Sequence, residues 1–148
     1  MVLYLKGGEE YGDFEMMINK PEYKNSLFVF NDNVQKKGNG GTAVIRGNPK
    51  AVGIPTGYNS SSPDPGYRGF SSFKEGKENI NKAFGDMEDK LGNNYYDKIY
   101  YSADAETGNL GIRIFKESIG VDVAPKITEK LRQISNEYFQ LQISSNTG

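Results

Sequence analysis

The stretch SLFVFNDNVQKKGNGGTAVIRG, residues 26–47, opens with an apolar run and then turns abruptly polar. Leu27, Phe28, Val29 and Phe30 are aromatic or branched and do not alternate with polar residues, which predicts a strand buried on both faces. Asn31-Asp32-Asn33 ends the run, two lysines follow, and Gly38, Gly40 and Gly41 fall within four positions. A strand covered on both sides, with a polar glycine-bearing loop at its carboxyl end, is the usual unit of an α/β sheet.

Working outward, VLYL (2–5) is a short apolar run stopped by Gly7-Gly8, and DFEMMINKPEY (13–23) reads as a short helix that Pro21 ends or kinks. AVGIPTGY (51–58) is a weaker strand, placed near a sheet edge or a strand end by Gly53 and Pro55. Two one-sided helices are plainer. In the segment 73–93, Phe73, Ile80, Phe84, Met87 and Leu91 fall near a 3.6-residue period with Gly92 at the end. In 121–141, Ile127, Leu131, Ile134, Tyr138 and Leu141 do the same, with Asp122 as candidate N-cap. Between them KIYYSAD (98–104) reads as another buried strand and runs into AETGNLGIRIF (105–115). Tyr95, Tyr96, Tyr100 and Tyr101 there are read as strand core and rim. The order predicts one domain over 1–148: α/β, a mixed and mostly parallel sheet with helices on both faces.

Composition narrows the chemistry. With 18 basic and 19 acidic residues, the net charge of -1 supplies no general field for nucleic acid or anionic lipid. Cysteine and histidine are both absent, which excludes disulfides, thiolate nucleophiles, a Ser-His-Asp triad and most zinc sites. No metal and no cofactor is expected. MVLYLKGGEE turns polar after five residues, unlike a signal peptide, and the longest apolar runs fall short of a membrane span, so the expected location is the cytoplasm.

Two loops stand where such a sheet binds ligands: 31–47 after SLFVF and 102–111 after KIYY. Glycines let a backbone approach a phosphate closely, so that its N–H groups face the anion. GNGGTAVIRG has neither the Lys-Ser/Thr of a P-loop nor the G-x-G-x-x-G spacing. On residues alone, Gly38, Gly40 and Gly41 are equally a surface turn or a phosphate cradle, and Asn31, Asp32 and Asn33 an Asx turn or a ligand contact. Lys36 and Lys37 are read as solvated.

VFNDN followed by GNGGTAVIRG resembles the first ligand loop of the macrodomain superfamily, in which a strand ends in Asn-Ala-Ala-Asn before a Gly-rich segment and a short helix. KIYYSADAETGNLGIRIF resembles the later macrodomain strand with its phosphate loop, and KAVGIPTGY is similar to strands of small macro-like proteins of tailed phages. The resemblance implies a three-layer macrodomain-like fold that binds ADP-ribose or a relative. Carried over, Asn31 and Asn33 approach the distal ribose, and the amides of Gly38, Gly40, Gly41 and Thr42 line its other side. Ser102, Gly108, Asn109, Leu110 and Gly111 wrap the diphosphate, with Ile112 and Phe115 packed beside it. Amide donors would serve a diphosphate without a basic patch.

Two features depart from that pattern. YLKGGEE offers Lys6 and Glu9 but no Asp in the position that usually binds the adenine amino group, and the first loop is one residue shorter. The segment TGYNSSSPDPGYRGF (56–70) is either an exposed connector or a lid in which Tyr58, Tyr67, Arg68 or Phe70 stacks on a base. The implied function is capture of an ADP-ribose-derived nucleotide, in its concrete form a phage counter-defence protein sequestering a cyclic ADP-ribose immune signal. The alternative is a hydrolase removing ADP-ribose from a target or cleaving the nucleotide. For that chemistry Asp32 and Asp104 are the candidate catalytic carboxylates, with Glu106 third. Expected partners are the nucleotide, no membrane and no general nucleic acid. The ten tyrosines serve either a homo-oligomer interface or a base-stacking cleft.

Overall fold

The structure, a computed structural model, describes residues 3–6, 14–35, 44–55, 72–103, 108–110 and 124–147. Strand β1 (Leu3–Lys6) precedes the short helix α1 (Phe14–Ile18), a 3-10 turn at Pro21–Tyr23, β2 (Ser26–Asp32) and β3 (Ala51–Pro55). The long helix α2 (Phe73–Asn93), strand β4 (Lys98–Ser102) and the long helix α3 (Ala124–Thr147) follow among the described residues. The four strands form a sheet in the order β1-β4-β2-β3, and every neighbouring pair is parallel. The α/β class with a parallel sheet is therefore observed.

The alternation of side chains along β2 divides the core in two. Leu27 and Val29 join Val52, Ile54, Ile99 and Tyr101 beneath Ile80, Phe84, Met87 and Leu91 of α2 and Ile127, Leu131 and Ile134 of α3. Phe28 and Phe30 point the other way, with Ala51 and Tyr100, and are covered by Phe14, Met17 and Ile18 of α1 together with Ile45. Phe28 stacks on Tyr100 at a centroid distance of 5.4 Å and meets the edge of Phe14 at 5.2 Å. Burial on both faces explains why β2 reads as a continuous apolar run rather than an alternating one.

The helices form where their apolar stripes meet the sheet. The Ser72 hydroxyl accepts the Glu75 N–H at 3.1 Å and so caps α2. That helix runs to Asn93, one residue past Gly92, and Asn94 leaves it in an extended conformation. In α3 the buried stripe is Ile127, Leu131, Ile134 and Phe139, while Leu141, assigned to it by periodicity, is 69% exposed. The frequency of one residue per 100° places 138, 139 and 141 within a turn of each other, and only packing decides which faces the sheet. Asp122, the candidate cap, lies outside the described residues.

Strand β3 occupies an edge, as Gly53 and Pro55 suggest. The Phe28 N–H donates to the Lys50 carbonyl at 2.8 Å, and Phe28 pairs with Ala51. In a parallel ladder of that register Lys50, Val52 and Ile54 turn their backbone groups toward β2, while Ala51, Gly53 and Pro55 turn theirs outward. Pro55 thus stands where a missing N–H costs no ladder bond.

The connections share one hand. From β1 to β2 and from β2 to β3 the chain moves toward the β3 edge, and α1 and Ile45 lie on the Phe28 face. From β3 back to β4 it moves the opposite way, and α2 lies on the Leu27 face. Reversing direction and face together preserves handedness, as crossover connections require. After β4, Leu110 and α3 lie on the Leu27 face.

Candidate functional site

After β2 the chain has reached the Phe28 face by Ile45, whereas after the adjacent β4 Leu110 and α3 lie on the Leu27 face, so the ends of β2 and β4 form a topological switch point. Their carboxyl ends carry the starts of the two loops singled out above. The backbone pairing of β2 and β4 runs through Val29 and Tyr101, and beyond it the Asn31 N–H donates to Ser102 Oγ at 3.2 Å. A side-chain oxygen has replaced the next rung of the ladder, which is how a pair of parting strands keeps its last amide satisfied. Val34, just past β2, and Ala103, just past β4, pack against the same core cluster, so the two loops begin side by side.

Asp32 ends β2 on the Phe28 face and is buried at 7% exposure. Its Oδ1 accepts from Arg46 Nη2 at 2.5 Å, both carboxylate oxygens accept from Arg46 Nε at 3.2 Å, and the Asn33 N–H donates to Oδ1 at 2.8 Å. The carboxylate is thus a tie between the strand end and residue 46, across the loop that separates them. Gly53 permits it: a methyl on its Cα would lie 2.6 Å from Asp32 Oδ2, 2.8 Å from Asp32 Cβ and 2.9 Å from Phe30 Cζ. Asn33 is buried as well, and Asn31 is half-buried.

On the β4 side, Ala103 and Leu110 form an antiparallel bridge that brings the chain back over the strand end. Gly108 has φ +74°, a conformation that favours glycine. Its carbonyl accepts from the Tyr101 hydroxyl at 2.8 Å, and that hydroxyl accepts in turn from Arg132 Nη2 at 3.1 Å. In a trans peptide the carbonyl and the following N–H point oppositely, so the bond to Tyr101 aims the Asn109 N–H away from the core. The Leu110 N–H turns inward to Thr128 Oγ1 at 2.8 Å, and its side chain is 1% exposed. Burial pushes the Tyr101 hydroxyl's pKa up, while the hydrogen bond and charge of Arg132 act in the lowering direction.

Of the residues proposed from sequence, the switch point brings together Asn31, Asp32, Asn33, Ser102, Gly108, Asn109 and Leu110. Leu110 is an anchor there, since its amide and side chain both face the core. Gly38, Gly40, Gly41, Thr42, Asp104, Gly111, Ile112 and Phe115 lie outside the described residues, as do Lys6's side chain, Lys36, Lys37 and the segment 56–70. Tyr100 and Tyr101 are buried within β4, as the strand-core reading expects, whereas Tyr96, buried, and Tyr95, 61% exposed, precede that strand.

Sequence reasoning missed Arg46, Thr128 and Arg132 altogether. No motif marks them. Gly53 did carry a signal, because an isolated glycine in a strand often marks a close approach.

A cleft of about 360 Å³ lies on the other flank of β2. Asp32, Arg46 and Gly53 line it with Asp86, Asp89 and Lys90 of α2, and of the sequence-proposed residues only Asp32 does so. Its volume suits a small ligand. Lys90 is already committed, its Nζ donating to the Pro49 carbonyl at 2.8 Å. The described starts of the two loops instead lie side by side where Asn31 meets Ser102 on the β4 flank, and that juxtaposition, not cavity size, marks the candidate site. Among the described residues no group of three His, Cys, Asp or Glu is placed to hold a metal ion, and no helix is long and apolar enough to cross a membrane.

Residues 14–134, from α1 into α3 and through both loops, match the model of a family of unknown function, DUF7831. The chain belongs to that family. The matched span contains every strand from β2 onward and the whole switch point, so the site described above is built within the family's own domain. No curated protein and no solved structure matches the chain.

Proposed function

We propose that the switch point binds an ADP-ribose-type nucleotide, with Asn31 and Asn33 toward a ribose and the Gly108–Asn109 turn toward a diphosphate. The observation that carries this reading is the Asn31 to Ser102 contact, which sets the starts of two glycine-bearing loops beside each other at the carboxyl edge of a parallel sheet. On this reading the fold is a three-layer macrodomain-like arrangement and the tailed-phage likeness points to a biological role as a counter-defence protein that holds a cyclic ADP-ribose signal in the host cytoplasm.

Capture is favoured over hydrolysis by the state of Asp32. Its carboxylate is engaged by Arg46 and by the Asn33 amide, with a side chain only 4% exposed, so taking a proton from water would require this tie to open.

The test is incubation with ADP-ribose, with cyclic ADP-ribose isomers and with an ADP-ribosylated protein, followed by denaturation and chromatography of the nucleotides. Intact nucleotide released from the denatured protein is the expected result. A new product would replace capture with catalysis, and failure of every nucleotide to raise the unfolding temperature would overturn both.

A further inference from the structure

We propose that Arg132 is an anion contact of this site, completing with the Gly108–Asn109 turn a subsite for a phosphate-class group. Thr128 and Arg132 stand four residues apart on α3, hence on one face of the helix, one turn from each other. Thr128 Oγ1 takes the Leu110 N–H and Arg132 takes the Tyr101 hydroxyl that holds the Gly108 carbonyl. Thr128 thus holds one end of the segment 108–110 directly, and Arg132 braces the other through Tyr101.

Thr128 is fully buried. Arg132 differs in being exposed. Its guanidinium carries five N–H donors, and the Tyr101 hydroxyl uses one group of them. Among the described residues Arg132 forms no ion pair; the pairs found there are Arg46–Asp32 and Lys74–Glu78. Glu129, three residues earlier on the same helix, does not take it up. An arginine fixed at one nitrogen by a buried hydroxyl, with its remaining donors facing solvent beside a positive-φ turn, is preorganised for a planar or tetrahedral oxyanion. The anchoring bond also removes part of the rotamer freedom that an exposed arginine would otherwise lose on binding.

The sequence gives no hint of such a contact, because net charge is near zero and Arg132 sits mid-helix among ordinary surface residues. Identification of the anion as a diphosphate rests on the nucleotide reading above, whereas the anion contact rests on the geometry of Arg132 and Tyr101.

Calorimetric titration of wild type, Arg132→Gln and Arg132→Lys with inorganic pyrophosphate and with ADP-ribose separates the two. Glutamine removes the charge and ends short of the Tyr101 hydroxyl, but that hydroxyl still donates to the Gly108 carbonyl, so the clasp on the turn stays. The expected result is a loss of about tenfold or more in affinity for both ligands in Arg132→Gln, a smaller loss in Arg132→Lys, and an unchanged unfolding temperature. Equal ADP-ribose affinity in wild type and Arg132→Gln would overturn the arginine contact while leaving the nucleotide reading intact. Arginine-dependent binding of pyrophosphate without any binding of ADP-ribose would support the contact and overturn the nucleotide reading. Binding of neither ligand by wild type would overturn both.

Discussion

Gly53→Ala tests how tightly the strand end at Asp32 is built. The added methyl would stand 2.6 Å from Asp32 Oδ2, 2.8 Å from Asp32 Cβ and 2.9 Å from Phe30 Cζ. Comfortable separation of carbon atoms is about 3.5 Å or more, so relief requires movements of roughly 0.7 Å. Rotating the Asp32 carboxylate would relieve only Oδ2 and would pull it from Arg46; the Cβ is fixed to the β2 backbone. Overpacking of this kind costs about 2 kcal/mol, which in a domain of this size lowers Tm by about 4–8 °C. Gly85→Ala is the control. Gly85 lies inside α2 with nothing within 4 Å of a built methyl, so the same substitution there stabilises by about 1 kcal/mol. Calorimetric or fluorescence-monitored unfolding of both variants reads the contrast. A Gly53→Ala protein melting at or above wild type would refute the packing described here for Asp32, Phe30 and Gly53.

Arg46→Met removes one partner of a pair whose carboxylate is nearly buried, and a loss of about 3 kcal/mol in urea unfolding is expected; a variant within about 0.5 kcal/mol of wild type would show the tie to be dispensable. Thr128→Val keeps the shape of a fully buried side chain but leaves the Leu110 N–H without its acceptor, for a cost of about 1–3 kcal/mol and faster hydrogen exchange at Leu110. Tyr96, Tyr101 and Tyr138 all have their hydroxyl pKa raised, chiefly by burial. The unfolded chain ionises its tyrosines near about pH 10 while the fold retains these protons, so stability is fully present below that pH and falls as pH rises through the window up to the raised values. Tyr101→Phe should make that alkaline decline shallower, and an unchanged pH profile would contradict it.

Much of the sheet was legible because each element announces itself locally. Residues 26–30 carry the signature of a strand buried twice over, and the periodic segment 73–93 coincides with α2, although Gly92, read as its terminator, lies inside the helix. Pro55 and Gly53 correctly placed β3 at an edge, since both act on the backbone of their own strand. What could not be read was relative position. The insertion of β4 between β1 and β2 is a tertiary fact that no window of sequence contains. The burial of Phe139 in place of Leu141 likewise depends on which way the last turns of α3 meet the sheet.

The candidate site divides along the same line. Asn31, Ser102 and Gly108 were found because loops following apolar strands can be located from sequence. Arg46 and Arg132 were not, for each acts across a distance set by the fold: Arg46 reaches back fourteen residues to Asp32, and Arg132 reaches thirty-one residues back to Tyr101. These two arginines hold the two sides of the switch point differently. Arg46 spends its charge on a buried carboxylate, which fixes the backbone where β2 ends but leaves little of that charge for a ligand. Arg132 is held by a neutral hydroxyl, which orients the guanidinium without neutralising it. A chain with a net charge of -1 can therefore present a local cation at the carboxyl edge of its sheet, and under the anion contact proposed for Arg132 that cation stands on the β4 flank, opposite the 360 Å³ cleft.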